Sequence, residues 1–175
     1  MDTFYIITNY QKDPALETAQ AIQQYLEKKG KTCYIQSNEA GDNGGAYKYT
    51  DASRVPDEVE CVLVIGGDGT LLQAARDLVE RQLPLLGINM GTLGYLAEID
   101  RKSIRPALEK LITGEYSIEH RMMLCGSACH QNRKMLADIA LNDIVITRNG
   151  RLRVVDFNVY VDGAFLSSFT ADGII

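Results

Sequence analysis

The chain has 175 residues, 46% of them hydrophobic, enough for one ordinary domain with a buried core or for one domain and part of another. Its formal net charge of -5 argues against a general nucleic-acid binder, because phosphate backbones recruit basic surfaces. No apolar run approaches membrane-spanning length, the acidic start "MDTFYIITNYQKDP" is unlike a signal peptide, and the four cysteines lack the dense spacing of a disulfide framework. A cytoplasmic protein with reduced thiols and no membrane partner is therefore expected.

In chain order, "FYIIT" reads as a short buried strand. Asp13-Pro14 predicts a helix N-cap with proline at the first helical position. Ala19, Ile22 and Leu26 recur at helical spacing, and Lys28, Lys29 and Gly30 close that helix with cations and a glycine. "TCYIQ" then completes a strand–helix–strand unit, which favours a parallel sheet. Residues 38–56 are polar and glycine-rich and read as a long loop. "CVLVI" is continuously apolar, as in a strand covered on both faces. A helix with Leu71, Leu72, Ala75, Leu78 and Val79 on its apolar side follows, then a strand in "LPLLGIN" and a helix over residues 103–111 that stops near Gly114.

After Tyr116 helical patterns give way to strand-like alternation, with turns at Asn149-Gly150 and Asp162-Gly163. The boundary is placed near residues 115–120, giving an α/β domain over 1–118 and an incomplete β domain over 119–175. The fold expected is a Rossmann-like open parallel sheet with flanking helices, followed by the first part of an all-β domain. The apolar ending "FTADGII" is read as belonging to a longer protein.

The stretch "VIGGDGTLLQAA" carries the chemistry. Gly66, Gly67 and Gly69 stand between a strand end and a helix start, where free N–H groups and the helix dipole favour phosphate. Neither the Walker pattern nor Gly-x-Gly-x-x-Gly is present. Thr70 with Gln73 forms a capping-box pattern, which leaves Asp68 in the loop with no evident structural duty, capping or turn chemistry being the lesser reading of it. A carboxylate beside phosphate-directed amides then points to handling a hydroxyl, and so to phosphoryl transfer to an alcohol, with magnesium on a donor triphosphate offsetting the charge. In "CGSACH", Cys125, Cys129 and His130 fall one ligand short of a closed zinc site, so packed free thiols are expected and no metal.

"GGDGT" (66–70) resembles the signature of a kinase superfamily that includes NAD, diacylglycerol and sphingosine kinases. "LGINMGTLGYL" (86–96), "LNDIVITR" (141–148) and "TADGII" (170–175) look like further motifs of the NAD kinases, in family order. The resemblance implies transfer of phosphate from ATP to the 2'-hydroxyl of the adenosine ribose of NAD, giving NADP. Inorganic polyphosphate is the other donor it allows. Asp68 would engage the acceptor hydroxyl, while Gly66, Gly67, Gly69 and Thr70 approach the phosphates. Tyr95 matches an aromatic near the adenine end; without the family it reads equally well as a core tyrosine. Asn142 and Asp143 would hold NAD by polar contacts including the adenine, although the family usually has glutamate at the second position. Asp172 matches an aspartate on the nicotinamide-side ribose. A homodimer or homotetramer is implied for the full-length protein, and weak or no activity for these residues alone. The alternatives are a non-catalytic nucleotide-binding module and a lipid kinase of the same superfamily; the latter's Gly-Thr-Gly-Asn-Asp stretch is missing here.

Overall fold

The computed structural model describes residues 1–9, 13, 16–37, 50–91, 94–150 and 153–175. The chain forms two compact units, Met1–His120 and Arg121–Ile175. The first is built on strands β1 (Thr3–Thr8), β2 (Thr32–Ile35), β3 (Cys61–Gly66) and β4 (Leu85–Asn89), with helices α1 (Glu17–Lys28), α2 (Asp68–Asp77) and α3 (Ile104–Thr113). All pairings in its sheet are parallel and the order is β2-β1-β3-β4, so the expected open parallel sheet is present.

Alternation along the strands explains the layers. Phe4 and Ile6 of β1, Leu63 and Ile65 of β3 and Ile88 of β4 pack with Ala19, Ile22 and Leu26 of α1 and Leu108 and Leu111 of α3. Their neighbours Tyr5, Ile7, Val62 and Val64 face the opposite way, against Leu71 and Ala74 of α2 and against Leu78. Both faces of the sheet are covered, which is why "CVLVI" is apolar throughout. Each fully buried leucine or isoleucine in these layers contributes about 1.5–3 kcal/mol.

Several local expectations are corrected. The first helix begins at Glu17, after Leu16 in the left-handed region at φ 55°. Asp13 still caps it, from farther out: its two carboxylate oxygens each accept a 3.2 Å hydrogen bond, from Thr18 N–H and Ala19 N–H. Pro14 lies outside the described residues. In α2 the buried positions are Leu71 and Ala74, followed by Leu78; Leu72, Ala75 and Val79 are only partly covered. The buried stripe is thus Leu71, Ala74 and Leu78, at i, i+3 and i+7, with Leu71 and Leu78 as expected and Ala74 in place of Ala75. The third helix ends as expected, with Gly114 at φ 80°.

Of the long loop, residues 38–49 lie outside the described residues. The part that follows is tied down. Thr50 N–H donates to Asp77 at 2.8 Å, and the Thr50 hydroxyl donates to the Gln36 side-chain oxygen at 2.9 Å. The Arg81 guanidinium donates to the carbonyls of Ala52, Val55 and Pro56 at 3.0, 2.7 and 3.1 Å.

The second unit is antiparallel. Strands β5 (Leu124–His130) and β6 (Arg133–Ala140) form one hairpin, and β8 (Val155–Val161) and β9 (Ala164–Ala171) another. The Asp162-Gly163 turn appears as expected, with both residues at positive φ. The β5–β6 turn uses Gln131 and Asn132, also at positive φ, without a glycine to announce it. Within "LNDIVITR" only a short strand forms, β7 (Ile146–Thr147), which pairs with β10 (Gly173–Ile174). Cys125 and Cys129 are exposed, so the expectation of packed thiols is corrected here; a register shift between Ala128 and Cys129 also interrupts the face they would have shared. No helix among the described residues is long and apolar enough to cross a membrane.

Candidate functional site

In the order β2-β1-β3-β4 the chain reverses direction across the sheet between β1 and β3. In open α/β sheets ligands bind outside the carboxyl ends of the strands at such a point. Two segments emerge there: Asn9 after β1, and Gly66-Gly67 running into α2 after β3. They touch one another, since Asn9 N–H donates to Ile65 O at 2.9 Å and the Asn9 side-chain amide donates to Thr70 Oγ1 at 3.4 Å. Asn9 escaped the sequence reading. Its signal was its place, a polar residue directly after a buried strand.

The helix starts earlier than the capping-box pattern implies. Gly67 is the N-cap, with no side-chain hydrogen bond to the helix, and Asp68 is the first helical residue. Thr70 lies inside the first turn, and the Gln73 side-chain amide donates to Asp77 at 2.8 Å. Gly66 is close against Thr70: a Cβ at residue 66 would stand 2.7 Å from Thr70 Cβ. None of Gly66, Gly67 and Gly69 has positive φ, so left-handed backbone accounts for none of them; close approach accounts for Gly66, whereas a Cβ at Gly69 would meet nothing within 4 Å.

Asp68 has the structural duty that the sequence reading denied it. One carboxylate oxygen accepts Tyr95 N–H at 2.7 Å, and the other accepts Leu96 N–H and Ala97 N–H, both at 3.1 Å. The negative charge sits in the first turn of α2, where the helix dipole favours it, and ties that turn to the second glycine-rich loop. This second loop is anchored elsewhere too. Met90 N–H donates to Gly66 O at 2.9 Å, the buried Asn89 accepts Gly91 N–H at 2.8 Å, and Ile99 bridges Ile88 in parallel register. Gly87 is packed against Ala97, whose Cα would lie 2.8 Å from an added Cβ.

Tyr95 is 98% exposed, so it is not a core tyrosine. Its backbone is held by Asp68 while its ring faces solvent. The structure thus brings Gly66, Gly67, Asp68, Gly69, Thr70 and the backbone of Tyr95 together at one end of the first unit.

The other three candidates belong to the second unit. Asn142 and Asp143 are exposed on the irregular segment between β6 and β7. Asp172 directly precedes β10. The β7–β10 pairing brings it to Arg148: Arg148 N–H donates to Asp172 O at 2.9 Å, and the guanidinium meets the Asp172 carboxylate at 2.9 Å. Two motifs some 25 residues apart in the chain therefore meet at one ion pair. Among the described residues no group of three or more His, Cys, Asp and Glu is placed to hold a metal ion.

Known proteins resemble this arrangement. The family model described as the ATP-NAD kinase N-terminal domain matches residues 4–116. The NAD kinase of Lachnospira eligens is 44% identical over 175 residues, covering all of this chain and 60% of that protein. That of Lachnoclostridium phytofermentans is 39% identical over 177 residues, covering 100% of this chain and 61% of its own length. Two solved structures share the fold. One is an NAD kinase from Archaeoglobus fulgidus in complex with ATP, with TM-score 0.67, 20% identity and coverage of 99% of this chain and 59% of that one. The other is yeast NADH kinase complexed with NADH, with TM-score 0.65, 20% identity and coverage of 99% and 56%. The chain spans about 60% of the length of these curated relatives.

Proposed function

The chain belongs to the NAD kinase family, and on that premise we propose that its full-length protein transfers the terminal phosphate of ATP to the 2'-hydroxyl of the adenosine ribose of NAD, giving NADP. The observation that carries this reading is the meeting of two glycine loops through Asp68 at the carboxyl ends of β3 and β4. The N-terminal amides of α2 provide the phosphate end of the site. Asp68 provides an anionic oxygen acceptor for the attacking hydroxyl.

In the reaction the ribose oxygen forms a bond to the terminal phosphorus, the bond from that phosphorus to the bridging oxygen breaks, and ADP leaves. The hydroxyl proton passes toward Asp68, which also keeps the oxygen in line. Gly66, Gly67, Gly69 and Thr70 approach the phosphates, and the exposed Tyr95 ring lies against the adenine end. Asn142 and Asp143 hold NAD by polar contacts, and Asp172, fixed by Arg148, takes the second ribose. Asp143 is shorter than the family's usual glutamate, so its contact is closer to the backbone. The α/β portion over 1–118 carries the phosphate loops, and 119–175 carries the remaining polar contacts. Magnesium fits as an ion carried on the triphosphate, which needs few protein oxygens. When bound it neutralises charge on the phosphates. Polyphosphate is the second candidate donor. The full-length protein is proposed to be a cytoplasmic homodimer or homotetramer.

The test is NADP formation from NAD and Mg-ATP by the full-length protein and its Asp68→Asn variant. Turnover that falls steeply to a small residual rate in the variant is expected. Tight NAD binding without turnover in the wild type would instead favour a non-catalytic nucleotide-binding module.

A further inference from the structure

Three consecutive peptide N–H groups, those of Tyr95, Leu96 and Ala97, converge on one carboxylate. This packing requires a residue without a side chain at position 94. An added Cβ there would stand 2.5 Å from Asp68 Cγ and 2.6 Å from Asp68 Oδ2, and the nearest atoms all belong to that carboxylate. Backbone conformation does not demand the glycine, because residue 94 is not among those with positive φ. Nor is the loop free to back away. Ala97 is packed on Gly87, Ile99 N–H donates to Gly87 O at 3.2 Å, and Asn89 N–H donates to Ile99 O at 2.7 Å.

We infer that the Gly94–Ala97 backbone is a positioning element of the phosphoryl-transfer site, holding the Asp68 carboxylate in the orientation that receives the acceptor hydroxyl. Gly94 is then a positioning residue that acts through Asp68. The inference rests on the reading that Asp68 meets that hydroxyl. The charge of the aspartate and the bareness of residue 94 form one device. A methyl at 94 takes the space of the carboxylate and turns it away, while the chemistry-bearing group stays in the sequence. Misplacement of a reacting group by about 1 Å is enough to lower a rate by about 100-fold.

The experiment compares full-length wild type, Gly94→Ala, Asp68→Asn and the double variant. It reads kcat and KM for NAD and ATP, and hydrogen exchange of the amides of residues 95–97. Gly94→Ala is expected to lower kcat by about 100-fold with both KM values within about threefold. Placed on Asp68→Asn, it is expected to add less than about twofold, because both changes remove the same interaction. The 95–97 amides are expected to exchange faster in Asp68→Asn than in wild type, a result independent of whether Gly94→Ala folds. Wild-type kcat in Gly94→Ala, multiplying effects in the double variant, or unchanged exchange in Asp68→Asn would each overturn the inference. Those outcomes, seen with an active wild type, leave the kinase reading intact. A wild type that makes no NADP overturns that reading, and this inference with it.

Discussion

Gly69 is the residue at which fold and function can be pulled apart. It is the second residue of α2, its φ lies outside the left-handed region, and a Cβ built on it meets nothing within 4 Å. Nothing in the fold therefore uses the missing side chain. Glycine in a helix costs roughly 0.5–1 kcal/mol against alanine, and the first turn belongs at the low end of that range. Gly69→Ala is expected to stabilise the chain by about 0.5 kcal/mol and to raise Tm by about 1–3 °C. On the proposed reading the same methyl would stand where a phosphate meets the α2 amides. A tenfold loss of ATP affinity, about 1.4 kcal/mol, is the corresponding expectation in the full-length protein. Thermal unfolding and equilibrium ATP titration of wild type and variant measure both effects. A variant that gains stability yet binds ATP as tightly as wild type refutes the argument that residue 69 is kept bare for phosphate. A fall in Tm would refute the steric half of it.

The remaining predictions concern what holds the first unit together. Asp68→Ala removes an acceptor that takes three backbone N–H groups, each charge-assisted bond being worth up to about 1.5–3 kcal/mol. With Tyr95 solvated, a net loss of about 2–4 kcal/mol is expected by urea unfolding; an unchanged midpoint would show that the loop is not held by this residue. Arg81→Ala strips the carbonyls of Ala52, Val55 and Pro56 of their donor and should cost about 2–3 kcal/mol. Asp57→Asn, at the exposed end of the Arg81 ion pair, should change stability by no more than about 0.5 kcal/mol. Burial pushes the Cys33 and Cys61 thiols up to about 12, whereas Cys125 and Cys129 are exposed. A thiol reagent at neutral pH should therefore label the second pair in the native chain, and the first pair only after unfolding.

What could be read in the sequence was whatever depends on near neighbours. The spacing of Ala19, Ile22 and Leu26 marked the buried face of α1, and the continuous apolar run of β3 announced a sheet covered on both sides. Gly114 and the Asp162-Gly163 pair were legible because positive φ has a local price in side-chain sterics that glycine and aspartate relieve. The misreadings arose from distant partners. Thr70 and Gln73 look like a capping box, but the start of α2 is fixed by amides 27–29 residues farther along the chain. The same hidden contact made Asp68 look structurally idle. The Arg148–Asp172 pair was invisible for the same reason, since it exists only once β7 and β10 pair.

On the proposed reading Asp68 is a carboxylate beside amides that meet phosphate, an electrostatic conflict, and the geometry shows how the fold compensates the charge. The Asp68 charge is compensated by peptide dipoles from a separate loop, and its place in the first turn adds the favourable end of the α2 dipole. Compensation by fixed dipoles costs little reorganisation during a reaction, which is the condition under which a charged group can serve an acceptor without being moved by it. It also joins the two loops into one body, through Asp68 on one side and the Met90–Gly66 hydrogen bond on the other. On the proposed reading the same carboxylate serves the acceptor and the scaffold, so an Asp68 substitution alone cannot separate the two. Gly69→Ala probes the phosphate end alone, adding a methyl where the fold has room, whereas Gly94→Ala displaces the carboxylate without deleting it and so also loosens the amides of residues 95–97. ATP affinity that falls in Gly69→Ala while its Tm rises, set against a kcat that falls in Gly94→Ala together with its stability, would separate the phosphate end of the proposed site from the carboxylate that the fold and the acceptor share.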